Sequence, residues 1–372
     1  MKSYEFVIIG GGLVGSAIAY GLARAGHQVC VLDEGDIAFR ASRGNFGLVW
    51  VQGKGQEIPS YSDWSMSSAS LWPGLEDELY ELTGISTQHQ APGGVHLCYS
   101  MDEMRDRQSS LDSLSRATQG RFQFEMLDHN QLRKLIPEIG ESVVGASWSH
   151  QDGHANPLYL LRALHSAILQ QGGSYHACGP VRKIHQEAGS FTVDCGQQRV
   201  HAARVVLAAG LGNRKLAPQV GLEAALVPNR GEILVTERVR PLLKLPTTYL
   251  RQTGEGSILM GDSHEDVGFD DGTETNVMSH IAQRAVAALP ALANTRVVRA
   301  WGALRVMTPD GYPLYQASEV HPGAFIACCH SGVTLAAAHV KRLAPWIAGA
   351  TQPTEISSFT SERFNVQTAT SV

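Results

Sequence analysis

Phe6-Val-Ile-Ile-Gly-Gly-Gly-Leu-Val-Gly15 is the stretch that decides the fold. Val7, Ile8 and Ile9 form a short β-branched apolar run, which suits a strand buried on both faces. Gly10, Gly12 and Gly15 complete G-x-G-x-x-G directly after it. In this pattern the first glycine allows the tight turn and the second lets a pyrophosphate approach the backbone. The third lets the following helix pack on the strand. A helix is expected over 13–24, with Val14, Ala17, Ile18 and Leu22 on its apolar face and Gly26 as its stop. A second strand is expected over 28–32. Asp33 follows, 18 residues beyond Gly15, close to the spacing at which an acid meets a ribose hydroxyl. Strand, turn, helix and acid agree on a dinucleotide site, and leave NAD and FAD both open.

The 372 residues can bury one large core or two smaller ones. A net charge of -5 without a basic run argues against nucleic acid as a partner. No apolar stretch reaches membrane-spanning length. The motif begins within ten residues of Met1, so no cleaved leader and a cytoplasmic location are expected. Cys30, Cys98, Cys178, Cys195, Cys328 and Cys329 make no C-x-x-C pair, so metal and iron–sulfur binding lack the expected spacing. Most of them read as small core residues in a reducing compartment. His150 and His154 have no third ligand at useful spacing, and no metal is expected.

Beyond Asp33 the simple βαβ series stops. Residues 41–47 read either as a flexible loop or as a second loop touching the cofactor through Ser42, Arg43 and backbone amides. A helix is expected over 61–82. Residues 84–139 have a different texture, with strands over 93–99 and 122–127 and helices over 102–117 and 128–135. Asp152-Gly-His-Ala-Asn-Pro157 is a turn followed by an N-cap and a first helical proline, opening a helix over 158–170. A hairpin follows over 191–202. Arg204-Val-Val-Leu-Ala-Ala-Gly-Leu-Gly-Asn213 is then a buried strand ending in another glycine turn, so a nucleotide could be held from two sides. Strands over 228–236, 247–251 and 257–260 and a helix over 276–289 repeat the α+β texture. The last twenty residues read as a peripheral tail.

Two later stretches carry chemistry. Arg305 lies in an otherwise apolar strand, where an unpaired arginine is costly to bury. It is either neutralised by a nearby acid such as Asp310 or placed to grip a substrate carboxylate with its planar fork. Ser331-Gly-Val-Thr334 is expected to open a helix running to about 348. Its amides and dipole place about half a positive charge there. That is either an ordinary helix start or a locus that stabilises the negative charge of a reduced flavin.

In this order the motifs are familiar. The chain resembles the D-amino-acid-oxidase-like family of FAD-dependent amine oxidoreductases. That family includes glycine and sarcosine oxidases and the flavin subunits of opine, hydrogen-cyanide-forming and D-hydroxyproline dehydrogenases. The resemblance rests on Gly10 to Gly15 with Asp33, the 42–47 loop, Asp152-Gly-His-Ala-Asn-Pro157, Ala208-Ala-Gly210, Pro228-Asn-Arg-Gly231, Leu304-Arg-Val-Met-Thr-Pro-Asp-Gly311 and His330-Ser-Gly-Val-Thr334. It spans nearly the whole chain and decides FAD over NAD. It implies an α/β fold: a Rossmann-type FAD-binding domain from 1–83, 140–225 and 300–372, and a second α+β substrate domain from insertions at 84–139 and 226–299.

The resemblance further implies an FAD site of Gly10, Gly12, Leu13, Val14, Gly15, Asp33, Glu34, Ser42, Arg43, Gly44, Asn45, Gly47, Leu48, Val181, Ala209, Gly210, Arg305, Gly332, Val333 and Thr334. Arg305 is expected to hold the substrate carboxylate, assisted by Tyr249, with His330 beside them. His330 stands where glycine-oxidase-like members carry an arginine. Ala303 stands where covalently flavinylated sarcosine oxidases carry a cysteine, so non-covalent FAD is expected. The implied reaction is hydride transfer from Cα–H of a neutral amine to flavin N5, giving an imine that hydrolyses. The 40–50 segment and the His330-Ser-Gly-Val-Thr334 ending are closest to heteromeric dehydrogenases with a D-hydroxyproline- or opine-type substrate and electron-accepting partner subunits. A self-sufficient oxidase producing H2O2 and a non-catalytic flavin-binding scaffold are the competing readings, and a homo-oligomer is the alternative to partner subunits.

Overall fold

A computed structural model describes residues 3–35, 41–196 and 198–364. The strand Ser3–Ile9 lies at the centre of the main sheet, between Val29–Asp33 and Gln198–Leu207. Ser174–Ala177 continues the sheet on one side and Ala324–Cys328 on the other, all parallel, with Leu314–Ala317 antiparallel at one edge. The continuous apolar run at 7–9 is explained by this placement. Ile8 points into one core with Leu13, Ala17, Ile18, Trp64 and Trp72. Val7 and Ile9 point into another with Val193, Val205 and Leu207. Each such fully buried side chain contributes roughly 1.5–3 kcal/mol. Helices Leu13–Ala23, Pro59–Thr83 and Pro157–Gln170 belong to the first core.

Gln198–Leu207 performs two functions that the sequence divides between separate strands. Its first half closes the antiparallel hairpin with Ser190–Cys195, and its second half joins the parallel sheet. All parallel strands end on one edge, and the crevice outside the carboxyl ends is where open α/β sheets bind ligands.

Two smaller antiparallel sheets build the second region. One orders Leu250–Gln252, Ser257–Met260, Val227–Arg238 and Val297–Met307; the other orders Gly94–Cys98, Gly145–Ser149 and Glu125–Asp128. Val95, Leu97, Ala146, Leu234, Tyr249, Met260 and Ile281 share a core between them. Gly145–Ser149 thus pairs with strands from 84–139, and Val297–Met307 pairs across the expected boundary at 299/300, opposing Arg305 to Asn229.

Three expectations are corrected. Cys178 and Cys195 are not separate core thiols but a disulfide with Cα atoms 5.8 Å apart. The turn after Ala177 brings Cys178 against the hairpin end that carries Cys195. The segment from 353 to 364 is not peripheral: Ile356 and Phe359 are fully buried in the main core, and Tyr315 N donates to Phe359 O at 2.8 Å. Continuous helix begins at Ala336 rather than at Ser331, and changes to π-type over His339–Leu343 before Ala344–Ala348. Among the described residues no helix is long and apolar enough to cross a membrane. Arg40 and residues 365–372 of the expected tail lie outside the described residues.

Candidate active site

The glycine turn is built by contact. Gly10 has φ +109°, and a Cβ there would lie 2.3 Å from Ala208 O and 2.9 Å from the Ala209 Cα. A Cβ on Gly15 would lie 1.9 Å from Gly10 O, and one on Gly12 would lie 2.8 Å from Ser42 Oγ. The first helix has Gly12 as its N-cap, with no capping side chain of its own. Ser42 supplies what the cap lacks, accepting from Leu13 N at 2.9 Å. Asp33 ends its strand beside the turn: Oδ2 accepts from Gly11 N at 2.8 Å and Oδ1 from Gly35 N at 2.9 Å. Glu34 is exposed next to it. Val181 opens the strand Val181–Glu187, four residues beyond Ala177, which pairs with Asp33.

The other expected cofactor residues gather around this turn or along its continuation. Gly332 packs on the helix start, where a Cβ would lie 3.4 Å from Leu13 Cβ and 3.8 Å from Val14 Cγ2. Thr334 Oγ1 accepts from Trp50 N at 3.1 Å and donates to Leu48 O at 3.2 Å; Trp72 Nε1 donates to Val333 O at 3.1 Å. Gly44 O accepts from Trp301 Nε1 at 3.3 Å, and Asn45 Oδ1 from Gly47 N at 2.8 Å. Arg43 lies in the same half-buried loop. A Cβ on Gly210 would meet Val306 Cγ2 at 3.3 Å, so the second glycine turn abuts the strand that carries Arg305.

Arg305 is not paired with Asp310, whose carboxylate instead holds Arg363 at 2.7 and 3.1 Å. Its partner is Asp262: Nη2 donates to Oδ1 at 2.5 Å. Nη1 donates to Ser263 O at 2.7 Å, Asn229 Oδ1 at 3.1 Å and Arg230 O at 3.2 Å. Burial raises the Asp262 carboxyl, but the His264 hydrogen bond and the charges of Arg305 and Arg284 outweigh it and hold the group below its usual range. Tyr249 is buried; its hydroxyl bonds that of Tyr99, and the Arg284 guanidinium lies 4.3 Å over its ring. Arg284 Nη2 also donates to Gly261 O at 2.7 Å and Asp262 O at 2.8 Å, linking Tyr249 to the Arg305 partner.

His330 Nε2 lies 3.1 Å from Ser331 Oγ. Burial and the charges of Lys54 and Arg305 push its ring down to about 3, so it is neutral at physiological pH. His330, Lys54, Tyr61, Gly311 and Tyr312 line a cleft of about 320 Å³. Sequence reading missed Lys54, whose one signal was the glycine on each side of it. It also missed Asp262, which carries no motif, and His165, which lies 2.9 Å from both Gly11 O and Ser16 Oγ.

The close-packed glycine turn, the acid beside it and the serine at the helix start fit the pyrophosphate and ribose of FAD. The comparisons agree. The model of the "FAD dependent oxidoreductase" (DAO) family matches residues 5–346. The chain is 42% identical over 370 residues to an opine oxidase subunit of Agrobacterium tumefaciens (strain Ach5), covering 99% of this chain and 100% of that one. It is 25% identical to glycine oxidase of Bacillus licheniformis, covering 97% and 98% of the two chains. In fold it is similar to crystalline glycine oxidase from Geobacillus kaustophilus, with a TM-score of 0.90 at 23% identity over 97% of this chain and 98% of that one. A cradle shaped for FAD, in a chain matched by the family model over nearly its whole length, makes this protein a member of the DAO family of FAD-dependent oxidoreductases and an amino-acid oxidoreductase.

Proposed function

We propose that the chain is the flavin-carrying component of a heteromeric dehydrogenase that oxidises a secondary-amine amino acid of the opine or D-hydroxyproline type. The observation that carries this reading is the close approach of Gly210 to Val306, where a Cβ would lie 3.3 Å from Cγ2, which sets the strand bearing Arg305 against the FAD cradle. The similarity to one component of an opine oxidase, over the full length of both chains, supports the substrate class and the role within a larger assembly. The bound FAD, held non-covalently, supplies a two-electron acceptor for the hydride leaving Cα.

The chain's own residues bind and orient. Arg305 grips the carboxylate, with its guanidinium plane fixed by Asp262, Asn229 and Ser263. Tyr249 supports that end through Arg284 and Asp262. His330 stays neutral, so the positive charge lining the cleft beside it belongs to Lys54. Such a site needs positioning and electrostatics more than a protein base.

Anaerobic addition of D-hydroxyproline and an N-(1-carboxyethyl) amino acid to purified holoprotein, followed by air, tests this reading. Bleaching of the flavin with slow return of colour is expected. Fast return in air identifies a self-sufficient oxidase, and absence of bleaching a non-catalytic scaffold; either overturns the proposal.

A further inference from the structure

Gly53 and Gly55, with φ of +81° and +79°, bracket Lys54 in a turn closed by Lys54 N to Val51 O at 3.1 Å. A Cβ on Gly55 would lie 2.5 Å from Ser62 N, so this backbone is held against the long helix Pro59–Thr83. The turn carries a cation to a defined place. Lys54 Nζ lies 2.6 Å from Ser331 Oγ and 3.2 Å from Tyr61 OH, and those hydroxyls lie 2.8 Å apart. Tyr61 and Ser331 are buried.

Among the described residues Lys54 has no carboxylate partner; its hydrogen bonds go to two neutral hydroxyls. The acids on the cleft do not serve it. Asp310 is taken by Arg363, and Glu57 is exposed at the rim. The contrast with Arg305, neutralised by Asp262, is direct. A partly desolvated cation beside two hydroxyls is a recognition element for an oxyanion: a carboxylate there could accept from Lys54 and from the hydroxyl that does not donate to its neighbour. Lys54 lines the cleft with His330, and the charges of Lys54 and Arg305 both reach that ring.

We propose that Lys54, with the Tyr61 and Ser331 hydroxyls, is a second carboxylate-binding site, and that the enzyme takes secondary amines bearing two carboxylates, one at Arg305 and one at Lys54. This rests on the amino-acid oxidation proposed above and narrows it to N-(carboxyalkyl) amino acids.

The test uses a matched pair, N-(1-carboxyethyl)alanine and N-ethylalanine, which differ by one carboxylate. Flavin reduction is followed in wild-type, Lys54→Met and Lys54→Arg holoprotein. Wild type is expected to favour the diacid. Lys54→Met should lower the diacid-to-monoacid ratio of kcat/KM by about 10-fold or more, through KM, since a hydrogen bond to a charged group is worth that factor. Lys54→Arg should restore most of the ratio. An unchanged ratio, an equal loss for both amines, or an altered flavin spectrum with the ratio intact overturns the proposal.

A binding arm separates this result from failure of the underlying reaction. Glutarate and butyrate are titrated into the same proteins and read by the flavin difference spectrum. If neither amine bleaches wild type, the oxidation reading falls, and binding still decides Lys54. Preference for glutarate in wild type, lost in Lys54→Met, supports the second site; equal binding of the two acids to wild type overturns it.

Discussion

Arg305 and Asp262 form an ion pair, Nη2 to Oδ1 at 2.5 Å, at the place where the sequence alone suggests a substrate carboxylate or Asp310. The guanidinium meets an internal anion before any substrate arrives. Asp262 therefore offsets the charge that a substrate carboxylate must find. Asp262→Asn keeps the shape and removes the charge. The KM of a carboxylate substrate is expected to fall by about 3–10-fold. Steady-state kinetics check this, and a raised KM would show that Asp262 matters more for holding the guanidinium plane than for offsetting its charge.

The depressed Asp262 carboxyl gives the pair a defined acid limit. A lowered folded pKa contributes stability that is present above the unfolded value of about 4 and lost as pH falls through the folded value. The pair should persist through neutral and mildly acid solution.

The buried histidines set a different pH window. Burial pushes His339 down to about 3, and burial with the charge of Arg107 or Arg251 pushes His96 and His154 to about 4. His330 behaves like His339. The unfolded chain takes up these protons as pH falls through about 6.5, whereas the folded chain does not until near 3–4. Stability from these four residues is complete above about 6.5 and declines below it. Asp152, raised to about 7 by complete burial despite its N–H donors, works in the opposite direction. The four histidines are expected to dominate. Denaturant unfolding with FAD in excess should show lower stability near pH 5 than near pH 7.5, and equal or greater stability at the lower pH contradicts this.

Gly10→Ala puts a methyl group 2.3 Å from Ala208 O on a backbone at φ +109°. The strain is on the order of 1–3 kcal/mol, and relief means moving the turn that the pyrophosphate needs. The purified variant should carry much less FAD per chain than wild type. Full flavin content would place the nucleotide elsewhere.

Much of the fold was legible because its signals are local. Val7, Ile8 and Ile9 form an unbroken apolar run because their side chains enter two cores, and Gly10, Gly12 and Gly15 mark the close approaches that follow. Signals that depend on distant pairing were not legible. Nothing near Cys178 shows that Cys195 lies against it, and Ile356 and Phe359 sit in a polar segment yet fill the main core. In the site, Arg305 stood out as a charge in an apolar strand. Its partner Asp262 comes from another strand end, and Lys54 gains meaning only when Ser331, 277 residues away, is beside it.

Reduction of the Cys178–Cys195 bridge, which closes a span of 17 residues, should lower stability by about 3 kcal/mol. Cys178 N donates to Asp33 O at 3.0 Å, so the loss should also weaken FAD retention. Thermal unfolding and flavin release with and without reductant check both. No change in either would show that the bridge contributes nothing to this edge of the sheet.

The proposed grip of Arg305 on a substrate carboxylate lies beside the FAD cradle. Its most direct test is transient anaerobic reduction of wild-type and Arg305→Met holoprotein by N-(1-carboxyethyl)alanine. Loss of the guanidinium should raise the half-saturating concentration by about 100-fold, with FAD content retained. Equal half-saturation in the two proteins would contradict the account.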